Sequence, residues 1–136
     1  MHHKQPALAV DAVVFDANGR LLLIRRGNAP FKGRHALPGG FVEYGETVEA
    51  AARRELKEET GVTPISQHLV GVYSHPKRDP RGHTVSVAFL MTVGLSKAKA
   101  GDDASGAMFV ADWRSQKLAF DHNKILADAV ALRQRL

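Results

Sequence analysis

The chain has 136 residues, 44% apolar and 24% charged, which fits one folded domain over residues 1–136 and excludes disordered and fibrous chains. It has no cysteine, no apolar run near the roughly 18 residues of a membrane span, and no export signal behind Met1-His2-His3-Lys4. Disulfides, thiolate metal sites and cysteine nucleophiles are thereby excluded, and a cytoplasmic location is expected. The formal charge of +5 suits polyanionic partners such as nucleotides, yet all the glutamates (Glu43, Glu46, Glu49, Glu55, Glu58, Glu59) fall in one short segment.

Ala7 to Asp16 is rich in Val and Ala and predicts a buried strand. Asn18-Gly19 signals a hairpin turn, and Leu21 to Ile24 returns as a second strand. Gly27 to Arg34 predicts a loop, and the punctuation of Leu37-Pro38-Gly39-Gly40-Phe41-Val42 allows only short strand pieces around a bend. A helix is predicted from Thr47 to Thr60, filled with good helix formers and ended by Gly61. Strands follow over Ile65–Ser74 and His83–Val93, separated by the polar loop His75–Gly82. Ser96–Gly106 predicts a loop and Ala107–Val110 a short strand. A last helix carries Ile125, Leu126, Ala129, Val130 and Leu132 at helical spacing, with Asp121 as its N-cap. Strands, helix, strands, helix point to a mixed sheet with helices packed on its faces.

The central helix carries the chemistry. Glu55 and Glu59, four residues apart, share a face with Val48 and Ala52, and Glu58 stands at its margin. Like charges at that spacing repel by about 0.2–0.5 kcal/mol. Acids in the last turns also oppose the helix dipole, by roughly 0.3–1 kcal/mol each. Arg54 can offset Glu58 at i,i+4, but nothing in the helix is expected to neutralise Glu55 and Glu59. Clustered carboxylate oxygens turned toward the fold suit a hard cation such as Mg²⁺ or Mn²⁺.

The spacing around these residues is specific. Five residues separate Gly40 from Glu46, seven more separate Glu46 from Arg54, and Glu55-Leu56-Lys57-Glu58-Glu59-Thr60-Gly61-Val62 follows. This segment, 40–62, resembles the signature of the Nudix hydrolases at every fixed position. The leading strands and Leu37-Pro38-Gly39-Gly40-Phe41 are similar to the family as well. The resemblance implies an α+β fold, an α/β/α sandwich with a mixed sheet between helices. It also implies hydrolysis, with Mg²⁺ or Mn²⁺, of the diphosphate of a nucleoside diphosphate linked to another moiety. Glu55 and Glu59 would be metal ligands with the Gly39 carbonyl, and Glu58 a further ligand or the base. Arg54 would orient the carboxylates through Glu46 or Glu58. Several family members use a later loop glutamate as base, and here only Asp102 and Asp103 stand in such a place.

Tyr73 to His83, with Pro76, and the later Phe120-Asp121-His122 are similar to microbial ADP-ribose pyrophosphatases, which implies cleavage of ADP-ribose to AMP and ribose 5-phosphate, and a homodimer. Arg25, Arg26, Arg78 and Arg81 are candidates for phosphate contacts, since guanidinium matches phosphate geometry. The alternative substrate is an oxidised nucleoside triphosphate. A non-catalytic nucleotide-sensing regulator fits less well, because the box is intact and the length leaves no room for a helix-turn-helix. The partner expected is a small nucleotide, without nucleic acid or membrane. His75, His83 and His122 match no zinc spacing and are expected in structural or surface roles.

Overall fold

The computed structural model describes residues 4–95 and 104–136. Its elements run β1 (Ala7–Phe15), β2 (Leu21–Arg26), β3 (His35–Ala36), β4 (Gly39–Phe41), α1 (Val48–Thr60), β5 (Ser66–Tyr73), β6 (Thr84–Thr92), β7 (Ala104–Val110), a 3₁₀ turn (Trp113–Ser115) and α2 (His122–Arg135). The strands form one mixed sheet in the order β3-β2-β1-β6-β5, with β4 also paired to β1 and β7 to β2. β1 and β6 are parallel from Ala7–Thr84 to Phe15–Thr92. All the other pairings are antiparallel.

The helices cover opposite faces of this sheet. Val10, Ala12 and Val14 of β1 join Leu22, Phe89 and Met91 against Ala51, Ala52 and Leu56 of α1. Their neighbours Val13 and Phe15 join Leu21, Leu23 and Leu90 against Ile125, Leu126 and Ala129 of α2, with Trp113 and Leu118 beside them. Alternate residues of one strand thus enter two cores, which is why β1 shows no polar alternation: both of its faces are dry. The result is the α/β/α sandwich with a mixed sheet. Leu56 has no exposed surface, and truncating such a side chain to Ala costs about 2–5 kcal/mol.

The Asn18-Gly19 turn forms, with the Gly19 N–H donating to the Asp16 carbonyl at 3.0 Å and Gly19 at φ 72°. The Asp16 carboxylate accepts from the N–H groups of Asn18 and Arg20, closing the turn from its side chain. The hairpin itself is short. Only Phe15 and Leu21 pair, after which β1 continues against β4 while β2 turns to β3 and β7. β2 also runs to Arg26, and β7 starts at Ala104 rather than Ala107, because Arg25 and Arg26 offer backbone partners to Gly106 and Ala104. Asp102 and Asp103 lie outside the described residues.

α1 is bounded as its sequence predicts: the Thr47 hydroxyl accepts the Ala50 N–H, and Gly61 at φ 74° donates to the Lys57 carbonyl. α2 differs. Asp121 occupies the N-cap position without capping, since its carboxylate is engaged by the guanidinium of Arg78 at 2.7 and 2.9 Å. Two charge-assisted bonds outweigh one backbone amide. Among the described residues no helix is long and apolar enough to cross a membrane.

Candidate active site

The fork between β2 and β4 along one edge of β1 opens the site. The Ala12 N–H donates to Pro38 at 2.8 Å and the Val42 N–H to Leu8 at 3.0 Å, and Gly39 lies opposite Asp11 between these bonds. At such a non-hydrogen-bonded pair the peptide groups point away from the partner strand. The Gly39 N–H accordingly reaches the Glu59 carboxylate at 2.8 Å. A Cβ on Gly39 would stand 2.2 Å from the Val10 carbonyl oxygen, and one on Gly40 would stand 2.4 Å from the Glu55 carboxylate. The paired glycines let α1 lay its acids directly on the strand.

A cleft of about 570 Å³ extends from there. Glu55 and Glu59 of α1 line it together with Arg26, Arg78, Arg81 and Phe120, and with the buried Asp11, Asp79 and His122. The lining therefore joins the acids of α1 to a set of guanidinium groups, and the Glu59 charge acts on Arg26.

Arg54 organises the acidic residues. Its Nε and Nη2 donate to the two oxygens of Glu46 at 2.7 and 2.9 Å, Nη2 also reaches the Phe41 carbonyl at 3.0 Å, and Nη1 reaches Glu55 at 2.9 Å and Glu58 at 3.1 Å. Glu55 is thus paired from within the helix, contrary to the sequence expectation. Glu46 and Phe41 pin the guanidinium where its free edge meets the next residue along. The Arg54 bonds, followed by the Glu43 amide, hold the Glu46 carboxyl down at about 2. Glu55 goes the other way: burial raises its pKa beyond what Arg54 reverses, and the charges of Glu58 and Glu46 add to the rise. The Glu58 side chain is 60% exposed, against 18% for Glu55, and does not line the cleft.

The guanidinium groups are not alike. The Arg78 side chain is 5% exposed, with two of its nitrogens on Asp121 and Asp11 at 3.7 Å. Arg81 is 50% exposed and pairs with Asp79. Arg26 donates to the Pro30 carbonyl, and its guanidinium stands 5.0 Å over the Phe120 ring, with Arg81 5.7 Å from the same ring. Burial and the nearby Arg81 charge lower the Arg26 pKa. Arg25 lies outside the cleft, near Gly33 and His35. Successive strand residues point to opposite faces, so Arg25 and Arg26 cannot share one. Arg26, expected as a phosphate contact, lines the cleft, whereas Asp11 and His122 were not singled out as site residues by sequence. An aspartate inside the apolar run of β1 was the available signal, because a buried carboxylate needs partners. His75 and His83 are exposed, bonded to Lys77 and Ser74 in their own loop.

Known proteins share this fold and much of this sequence. The family model of the NUDIX domain matches residues 5–132. The chain belongs to the Nudix family. It is 55% identical over 123 residues to an ADP-ribose pyrophosphatase of Methanocaldococcus jannaschii, covering 90% of this chain and 72% of that one. It is 33% identical over 140 residues to an ADP-ribose-responsive transcriptional repressor of Acinetobacter baylyi, covering 95% of this chain and 55% of the repressor. Its structure superposes with a TM-score of 0.87 and 31% identity on the NUDIX domain of Shewanella oneidensis NrtR complexed with ADP ribose, over 98% of this chain and 90% of that one.

Nudix hydrolases generally use a divalent metal, and the donor set here fits one. Among the described residues no three acidic or histidine side chains gather as a ready cage. The cleft offers two carboxylates, Glu55 and Glu59, beside the Gly39 peptide. Small hard cations are held in this manner, by one or two carboxylates with water and substrate phosphate completing the shell. The raised Glu55 pKa marks a carboxylate whose charge a cation would stabilise.

Proposed function

We propose that the protein hydrolyses the diphosphate of ADP-ribose, giving AMP and ribose 5-phosphate. The observation that carries this reading is the cleft that brings Glu55 and Glu59 together with Arg26, Arg81 and Phe120. The 55% identity to an ADP-ribose pyrophosphatase supports the choice of substrate. In this reading Glu55, Glu59 and the Gly39 carbonyl would hold Mg²⁺ or Mn²⁺, with Glu58 as a further ligand or the base. Such a cation would supply positive charge for the diphosphate and a bound water of lowered pKa. Arg54 and Glu46 fix the direction of the Glu55 carboxylate. Arg26 and Arg81 offer guanidinium donors to the phosphates, and both stand over the Phe120 ring. The homodimer implied by the resemblance is supported by the edge strand β5, which exposes Leu69 and Val72.

The test is hydrolysis by the purified protein with Mg²⁺ or Mn²⁺, comparing ADP-ribose with 8-oxo-dGTP and reading products by chromatography. AMP release from ADP-ribose, abolished by EDTA and restored by the metal, is expected. Faster turnover of the triphosphate would assign the protein to nucleotide sanitation. Binding of ADP-ribose without turnover would make it a sensor.

A further inference from the structure

His122 and Asp11 build a buried network that the proposed chemistry does not use. His122, the first residue of α2, is 4% exposed. Its Nδ1 accepts the Leu37 N–H at 3.0 Å, and its Nε2 lies 3.3 Å from Asp11 Oδ1. A backbone N–H only donates, so Nδ1 carries no proton, and the ring hydrogen sits on Nε2 toward Asp11. The other Asp11 oxygen accepts from the Ser86 hydroxyl and lies 3.7 Å from Arg78, which clamps Asp121. Among the described residues no buried side-chain polar atom is without a partner.

What the imidazole holds is specific. Leu37 stands two residues before Gly39 along the chain, and Asp11 is the register partner of Gly39 across the ladder. Both approaches to Gly39 are thus tied to one ring, and the Gly39 N–H in turn holds Glu59. The strand has little tolerance there, since neither Gly39 nor Gly40 leaves room for a Cβ.

We propose that His122, together with Asp11, is a positioning residue of the hydrolytic site: it places β4, and through Gly39 the Glu59 carboxylate. The proposal rests on the reading of the cleft as a diphosphate hydrolase. Partners that orient a metal-binding carboxylate typically change metal affinity or activity by about 10- to 100-fold when removed. A leucine at position 122 would fill the space and leave the Leu37 N–H and Asp11 without their bonds. An asparagine would return an acceptor oxygen close to where Nδ1 stands.

The experiment combines kinetics with NMR. His122→Leu is expected to lower kcat for ADP-ribose by about 10- to 100-fold and to raise the Mg²⁺ concentration for half-maximal rate, with KM little changed. His122→Asn is expected to recover most of that loss. Long-range ¹H–¹⁵N spectra of the wild-type protein should show the Nε2–H tautomer, and the Leu37 amide should be protected from exchange in the wild type and in His122→Asn. An Nδ1–H tautomer, a wild-type rate in His122→Leu, a defect confined to KM, or an Asn variant as slow as the Leu variant would each overturn the proposal. If His122→Leu does not fold, the wild-type tautomer and the His122→Asn kinetics decide. Failure of the wild type to cleave ADP-ribose would overturn the functional reading alone, while the tautomer and the Leu37 amide would still decide the role of His122.

Discussion

Glu58 and Glu59 are adjacent in sequence and differ in surroundings. Glu59 lines the cleft and accepts the Gly39 N–H, whereas Glu58 points outward to Arg54 and is largely exposed. Glu59→Gln keeps an acceptor for Gly39 and removes the repulsion from Glu55, about 0.2–0.5 kcal/mol. Its Tm should therefore stay level or rise while turnover with Mg²⁺ falls by at least about 10²-fold, a loss larger than that of a supporting group. Glu58→Gln should lose less under the same assay. A fall of about 10²–10⁴ in its kcat at unchanged KM would instead make Glu58 the general base, with Asp102→Asn and Asp103→Asn as the comparison. Asp11 yields a prediction of a different kind. Burial opposes its charge, but His122, then Ser86 and Arg78, together hold its pKa below 3.8. Stability from this group is fully present above 3.8 and is lost as the pH falls through the lower folded value. Asp16 and Asp79 are depressed as well. Tm should thus drop in acid below pH 3.8, and Asp11→Asn should drop less steeply over that range.

The two glycines of β4 separate fold from function at the scale of the element. At Gly39 the atom an added methyl would meet is the Val10 carbonyl, a rigid part of the central strand. At Gly40 it would meet the Glu55 carboxylate, the far end of a side chain that can turn aside. Gly39→Ala should therefore lower Tm, by an overpacking cost of about 1–3 kcal/mol. Gly40→Ala should keep most of its stability and lose hydrolysis because Glu55 is displaced. Thermal melts beside initial rates check both. Much of this element architecture was legible beforehand. The helix, its Thr47 and Gly61 ends, the long apolar strands and the glutamate spacing follow from local chemistry. Three features did not. The fork that sends β1 to β4 and β2 to β7 is set by partners distant in sequence. The diversion of Asp121 from capping depends on Arg78, 43 residues away. The Arg54–Glu55 bond needs a guanidinium already pinned by Glu46 and Phe41.

Across the whole molecule, a net charge of +5 describes the cleft less well than its lining does. The acids of α1 share it with arginines of β2 and of the loop between β5 and β6. Sequence treated Arg78 and Arg81 alike, as candidate phosphate ligands, because nothing local distinguishes them. Burial does. Arg78 is enclosed with Asp121 and Asp11, and removing one member of a buried ion pair costs up to about 3–5 kcal/mol, because the remaining charge loses its partner. Arg81 is half exposed, whereas its partner Asp79 is buried and also accepts the Arg81 backbone N–H, a bond that truncating the Arg81 side chain leaves in place. Arg78→Ala should accordingly show a depressed Tm. Arg81→Ala should lower Tm less than Arg78→Ala and bind the diphosphate more weakly, raising KM for ADP-ribose with little change in kcat. Because the lost interaction is electrostatic and solvent-accessible, the difference in KM between Arg81→Ala and wild type should shrink as salt rises toward 1 M, where the Debye length falls to about 3 Å. Equal KM values at low salt would remove Arg81 from the binding site and leave Arg26, held over Phe120, as the guanidinium to test next.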